Sequence, residues 1–589
     1  MSWLGRSFGS SQQGRAEYGL RPAFGPSLPS WRQIRLLPRI LTAHEKRAAL
    51  SLIILVVFGG LALSWRLYEK STTVTPQIGG EYKEGVVGNP RTANPLLATS
   101  DADLDLAFLT HRGLFSIDDQ GKITEDLAES WELSPDKKTY LIKLRSGLHW
   151  SDGQPLTAAD VVFTFASARQ EKLASPLAGS FRDITITALD DGLTTSFTLK
   201  EPYVPFLYAL TVGLIPQHIW QGIPFEKWLQ SEASLKTVGA GPFRFNSLTR
   251  DGQGNIYNYI LESNPYSYEA APYFKKFSLR FYPDMPSALE ALRQGMIDGL
   301  GDLSSQDKTN LNPNRFIVYD ITLPQYTAIF YNPNTNNALK EAAIRQGLSY
   351  AINRPDLIQQ ALLGQAQPAT SPFTFGEFKT KTNTQTITYD PTKTIQLFEL
   401  AGYSRTEGDS IFKKGDQLLE ITLTVVDNEV QLRVANVIKQ QWEAVGVVVK
   451  IQPVANYLLQ SEVLTPRNYQ ALLASEVVGL DPDPYPFWHS SQVAAPGLNL
   501  AQFQNREADQ LLVEARQMFD ESARLEKYAN WQNILRQESP ATFLYSINYS
   551  YAQNYSVKGF SRSIMGQPAE RFWSADGWYR RTTRSRASK

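Results

Sequence analysis

Apolar positions fall along this chain in three patterns, and each predicts a different element. Ala48 to Trp65 reads AALSLIILVVFGGLALSW, an apolar run without a charge. At ~1.5 Å of rise per residue, about 18 residues of helix just span a ~30 Å hydrocarbon layer. Lys46 and Arg47 flank its N-terminal side, so the positive-inside rule puts the N-terminus in the cytoplasm and the large C-terminal part outside. Alternation comes next. Tyr140, Ile142 and Leu144 alternate with Leu141, Lys143 and Arg145, and 256–262 (IYNYILE) is similar, so both predict strands. The third pattern is helical. Leu432, Ala435, Ile438, Trp442 and Val445 are spaced by three and four, between predicted strands at 419–426 and 447–454. That is a βαβ unit, expected to be right-handed with parallel strands. Thr157-Ala-Ala-Asp160 has capping-box spacing and predicts a helix start, and 509–537 is predicted to be one long helix. Asp152-Gly153, Asn264-Pro265, Asn332-Pro333 and Asp481-Pro482 mark turns.

These patterns predict an organisation. Residues 1–47, rich in Gly, Ser, Pro and Arg, read as a disordered cytoplasmic arm, 48–65 as a transmembrane anchor and 66–80 as a linker. The basic tail 580–589 reads as unstructured. Ala62 and Ser64 would suit a signal peptidase, but 47 preceding residues are too many for a usual signal peptide. The run is therefore expected to be an uncleaved anchor, with the rest of the chain on the extracytoplasmic side of the cell membrane.

Composition narrows the function. The 589 residues include 58 basic and 58 acidic side chains and no cysteine, which excludes disulfides, thiolate metal sites, a cysteine nucleophile and a lipidated cysteine. The zero net charge hides an asymmetry: 1–70 carries ten Lys/Arg against three acids, and the tail five more, which leaves the body acidic. An acidic body argues against nucleic acid as a partner, because phosphate binding needs a basic face.

Motifs of catalysis fail on inspection. Gly5-Arg6-Ser7-Phe8-Gly9 matches G-x-S-x-G but lies before the anchor, away from any strand-to-helix turn. Asp101-Ala-Asp103-Leu-Asp105 opens like a calcium loop, but Leu106 stands at the turn glycine and Arg112 at the last carboxylate. HExxH and G-K-[ST] are absent, and the five histidines are scattered.

What the chain does hold is a series of segments in fixed order: Gly113-Leu-Phe, Leu127-Ala-Glu-Ser-Trp131, the stretch from Tyr140 to Phe165 (YLIKLRSGLHWSDGQPLTAADVVFTF), Ile215-Pro-Gln-His218, and Val238-Gly-Ala-Gly-Pro-Phe-Arg-Phe245. Gly295-Met-Ile-Asp298, the run from Ile344 to Arg354, Tyr389-Asp-Pro391, Leu400-Ala-Gly402, Asp481-Pro482, Asn505, Asp509 and Val557-Lys-Gly-Phe560 continue it. The series resembles the family 5 extracellular solute-binding proteins, the peptide- and nickel-binding receptors of ABC importers, over roughly 80–560.

The resemblance implies an α/β, two-lobed periplasmic-binding-protein fold, type II, in the large variant with an extra subdomain. Lobe one would hold 80–322, with 113–239 as the extra subdomain, and the return 546–579; lobe two would hold 323–545. The implied role is capture of an oligopeptide, as a monomer with no cofactor and no covalent chemistry, for delivery to an ABC permease and its ATPase subunits. Another small solute, such as a metal chelate or sugar, is the alternative, and a hydrolase on the same scaffold a remote one. Trp150, Ser151, Asp152 and Gly153 read as a strand end and tight turn, Gly239 and Gly241 as a turn, and Arg354 as a partner for a helix C-terminus. By resemblance the ligand contacts fall on Ser100, Asp101 and Asp103 and on Glu476, Val478 and Gly479, with Tyr485, Trp488 and Tyr545 walling the cleft. One departure stands out. Peptide-binding members place an amine-neutralising aspartate three residues before the acidic-Pro pair. Here that position is Val478, or Leu480 if the pair is Asp483-Pro484.

Overall fold

The computed structural model describes residues 40–382, 386–405 and 410–586. Most of the expected N-terminal arm and the last three residues of the tail lie outside them. The chain divides into two units, Met1–Thr75 with Thr583–Lys589, and Pro76–Thr582.

In the first unit a helix runs from Ala43 to Ser71, with no residue buried. It contains the apolar run and extends past both ends. Residues 66–71, read as linker, continue the helix because RLYEKS holds no glycine or proline to end it. The Glu45 carboxylate accepts the Thr42 backbone N–H at 2.8 Å at its start. The strand Thr72–Pro76 then pairs with Thr582–Arg586. The tail was expected to be unstructured, and this much of it is strand. Arg584 pairs with Glu69 at 3.8 Å and lies 5.7 Å from the Tyr68 ring.

The second unit is two-lobed and α/β. Among the described residues its main sheet has twelve strands, and one of them joins the lobes: Ala541–Asn554. Its first half pairs with Gln325–Tyr331 (Thr327 opposite Tyr545) and its second with Phe316–Thr322 (Ile321 opposite Tyr549). On the lobe-two side follow Ala471–Val477, Glu420–Val426 and Val448–Val454; on the other side come Gly299–Leu300, Glu81–Val87, Lys276–Tyr282, Ile256–Ser263 and Phe243–Arg250. The predicted βαβ unit is present: Glu420–Val426 and Val448–Val454 are parallel, joined by the helix Glu429–Ala444, which buries Ala435, Ile438 and Trp442. The long helix predicted at 509–537 is two, Arg506–Gln517 and Glu521–Glu538.

A separate four-stranded sheet, containing the predicted strand Thr139–Leu144, packs with the capped helix Ala158–Ala168 over its own core of Trp150, Phe165, Phe197, Trp220 and Trp228. These elements fall mostly within 113–239, the stretch expected to form the extra subdomain. The Trp150–Gly153 turn closes as read, with Gly153 at φ +87°. Gly239 and Gly241 serve a different purpose from the turn expected of them. A Cβ on Gly239 would stand 2.0 Å from the Thr110 carbonyl oxygen, and one on Gly241 2.5 Å from its carbon, so close backbone approach requires them. Arg354 also differs: it begins the helix Arg354–Leu362, buried, and its Nε donates to the Phe543 carbonyl at 2.7 Å.

Candidate functional site

The helix Asp101–Thr110 builds one wall of a cavity of about 150 Å³, presenting Leu104, Ala107 and Phe108, which share one face at i, i+3 and i+4. Its floor is where 111–113 meets 211–213. A Cβ on Gly113 would lie 2.5 Å from the Thr211 carbonyl oxygen and one on Gly213 2.6 Å from the His111 Cβ, so only glycine allows this approach. The C-terminal return closes the far side with Arg562, Glu570 and Trp573.

Two buried arginines, each ion-paired, face this space. Arg112 lies 2.8 Å from Glu269 and 3.8 Å from Asp126, and Arg562 lies 2.8 Å from Glu570. Arg562 also donates to the carbonyls of Ile117 and Asp118, at 2.8 and 2.6 Å, and the Trp573 indole N–H donates to Ser116 Oγ at 3.1 Å. Burial pushes His111 down to about 4, so the ring is neutral. Its nitrogens lie 2.9 Å from Thr110 Oγ1 and 3.2 Å from Thr237 Oγ1, so neither is free to act as a base. With Pro95, Ala98 and Leu177 opposite, the cavity has an apolar wall and a wall of paired charge. That arrangement suits the binding of a small solute. Among the described residues no group of three or more His, Asp or Glu is placed to hold a metal ion.

None of the nine residues named from the sequence lines this cavity. Ser100 caps the helix, its Oγ accepting the Asp103 N–H at 3.2 Å. Asp103 is buried and accepts the backbone N–H groups of Arg91 and Thr92 at 2.7 and 3.0 Å, so it pins that loop. Asp101 is exposed beside them. Glu476 and Trp488 come together inside lobe two: the Tyr326 hydroxyl donates to Glu476, and the Trp488 indole N–H donates to that hydroxyl at 3.3 Å. Desolvation pushes Glu476 up to about 8, so the carboxyl is protonated at neutral pH. Val478 and Tyr545 are buried in the two hydrophobic clusters of the same lobe. Gly479 turns the chain at φ +80°. Tyr485 is half-buried, stacked on His489 at 4.2 Å and under the Arg516 guanidinium at 4.2 Å. Leu480, one position on, packs with Ile117 and Ile564, next to the cavity. The cavity residues escaped the sequence reading because they come from distant segments; the Gly113-Leu-Phe motif marks one of these, and the spacing of Leu104, Ala107 and Phe108 is the signal that would have marked another.

Two α/β lobes joined by a shared strand are the architecture of the two-lobed periplasmic binding proteins. The model of the family described as bacterial extracellular solute-binding proteins, family 5 Middle, matches residues 122–496, and the chain belongs to that family, the solute-binding receptors of ABC importers. The oligopeptide-binding protein AppA of Bacillus subtilis is 28% identical over 520 residues, covering 87% of this chain and 93% of the relative. The structure of AppA from Bacillus subtilis in complex with a nonapeptide superposes with TM-score 0.67 at 25% identity, over 86% of this chain and 100% of that one. NikZ from Campylobacter jejuni in complex with Ni(L-His) shares the fold, with TM-score 0.69 at 23% identity, over 85% of this chain and 99% of that one.

Proposed function

We propose that the chain is a membrane-anchored extracytoplasmic receptor that captures peptides between its lobes and hands them to an ABC permease. The observation that carries this reading is the near full-length match to an oligopeptide-binding protein. The body from about 80 to 322, with the return 546–579, acts as lobe one and 323–545 as lobe two, the chain crossing at 322–325 and 545–548. Hinge motion about these crossings opens and closes the cleft between the lobes, while the cavity described above lies within the lobe-one side. The helix Ala43–Ser71 is the anchor: it is long and apolar enough to cross a bilayer, and Ala62 and Ser64 lie inside continuous helix rather than in an extended segment. Protease added outside intact cells should then digest the body while full-length protein stays in the membrane fraction; a soluble mature form beginning near Trp65 would overturn the anchor.

A second reading, capture of a metal chelate or another small solute, has support in the valine at the expected amine anchor and in the Ni(L-His) complex of a neighbour of the same fold. Mass spectrometry of the ligands released from purified full-length protein separates the two. Peptides are expected. Recovery of only non-peptide solutes would move the assignment to the second reading.

A further inference from the structure

A second cavity, of about 280 Å³, lies at the hinge, apart from the one described above. Both crossing segments contribute to it: Thr322 stands opposite Asn548, and Ser546 lies one turn of the pleat earlier on the same strand. The loop after Pro368 closes it with Thr374 and Lys379. Thr374 and Ser546 are only 8% and 5% exposed, and neither hydroxyl has a hydrogen-bond partner. A buried hydroxyl left unpaired costs free energy, and two of them on one cavity make a site with hydrogen-bonding capacity in reserve. The charge is one-sided as well. Lys379 makes no ion pair among the described residues, and no Asp or Glu lines the cavity. The neighbouring acid, Glu377, is taken by Lys381 at 2.5 Å.

We propose that this hinge cavity binds a carboxylate group. A carboxylate accepts only, and here it meets an ammonium and two hydroxyls able to donate, with no acid to compete. A cation would face Lys379 with no counter-charge, and a neutral amide would leave the lysine uncompensated. The volume exceeds that of a carboxylate alone, and Phe373 and Phe375 in the lining suit a short apolar tail. The carboxylate can come from two sources, the C-terminus of the captured peptide or a free small acid; the first rests on the peptide reading above. Because the walls belong to both crossing segments, an occupant holds those segments in one geometry.

The test uses the full chain in detergent, with propionate as probe and propionamide as its neutral counterpart, followed by calorimetry. Propionate is expected to bind saturably and propionamide at least tenfold more weakly. Lys379→Met should weaken propionate at least tenfold, and Ser546→Ala and Thr374→Val several-fold each, with circular dichroism unchanged. If propionate competes with a bound peptide and amidating the peptide's C-terminus costs tenfold or more, the site receives the ligand's own terminus. If propionate binds equally with saturating peptide present, the site takes a free acid. No saturable propionate binding, together with no effect of amidation on a peptide that does bind, overturns the proposal and leaves the peptide reading standing. Propionate binding that depends on Lys379, with no peptide bound at all, does the reverse.

Discussion

Arg524 holds Asp481 by two parallel hydrogen bonds, Nη1 donating to Oδ2 at 2.9 Å and Nη2 to Oδ1 at 2.5 Å. Both side chains are almost fully buried. The first acid of the Asp481-Pro-Asp483-Pro stretch is thus spent on fixing the loop to the helix Glu521–Glu538. Arg524→Ala leaves a buried carboxylate without its partner, and breaking such a pair typically costs about 3–5 kcal/mol. Urea denaturation of the variant should show a loss of that order. Arg524→Lys should recover only part of it, because a lysine cannot reproduce the two-pronged geometry.

The second acid is also occupied: Asp483 accepts from Arg516 at 2.7 Å and from the Tyr203 hydroxyl at 3.3 Å. With Val478 packed in the lobe-two core, no carboxylate of this stretch is free to neutralise a peptide's amine. Losing the partner of a desolvated ammonium typically costs several kcal/mol, and here there is no such pair to lose. Free and N-acetylated forms of a bound peptide should therefore differ by less than about tenfold in affinity, or about 1.4 kcal/mol. Calorimetry on both forms decides it. A hundredfold loss on acetylation would point to another acid, with exposed Asp101 the first to substitute.

What the sequence disclosed and what it hid divide by range. The βαβ unit at 420–454 and the capped helix at Ala158 were legible because their patterns are local. The break at 518–520 was not, because Phe519 leaves the helical path to pack against the core of the 113–239 stretch, a contact between residues some three hundred positions apart. The joining strand Ala541–Asn554 was missed for the same reason: its partners lie within 299–368, far earlier in the chain. At the site, Asp103 and Trp488 carry the residue types of ligand contacts, yet one caps and pins a loop and the other fills a core. Residue type gave their chemistry, and only packing shows where it is spent.

A buried titratable network ties the strand Glu81–Val87 and the helix Asp101–Thr110 to the C-terminal part of the chain. The Arg571 guanidinium lies 3.0 Å from Glu84 and 2.5 Å from Asp105, and the Tyr551 hydroxyl donates to Glu84 at 2.9 Å. Desolvation pushes Glu84 up to about 7, against the pull of Arg571 and with the push of Asp105. A carboxyl whose folded pKa is raised binds more protons folded than unfolded between the two values, so its contribution to stability falls as pH rises from 4.5 to about 7 and is level above. At about 1.4 kcal/mol per unit, that contribution is about 3 kcal/mol across the window. Glu84→Gln does not titrate, so its stability relative to wild type should improve by that order from pH 4.5 to 7, whatever constant penalty the amide brings. Guanidinium denaturation of both proteins at several pH values would reveal it, and parallel curves would show that Glu84 stays charged throughout.

The corner between the helices Arg506–Gln517 and Glu521–Glu538 clasps the stretch expected to be the extra subdomain. The Val204 backbone N–H donates to the Arg516 carbonyl at 2.9 Å, and the Arg516 guanidinium lies between the rings of Tyr203 and Tyr485, at 4.8 and 4.2 Å. Phe519 packs against the core of that stretch beside them. These contacts run directly between the helical corner and the 113–239 stretch, so they favour a form in which the two sides meet and lower the free energy a ligand must supply to hold them together. Phe519→Ser should therefore shift the unliganded protein toward the open form and weaken ligand binding by about tenfold, or about 1.4 kcal/mol. Its thermal stability should stay near wild type, because Phe519 is half-buried at a corner rather than inside either lobe. The absence of native cysteine makes the measurement direct. Cysteines introduced at exposed Asp190 and Glu507 carry a dye pair across the clasp, and the distance between the dyes should grow in Phe519→Ser without ligand and return toward the wild-type value at saturation. An unchanged distance in the unliganded variant would show that the clasp does not set the closing equilibrium.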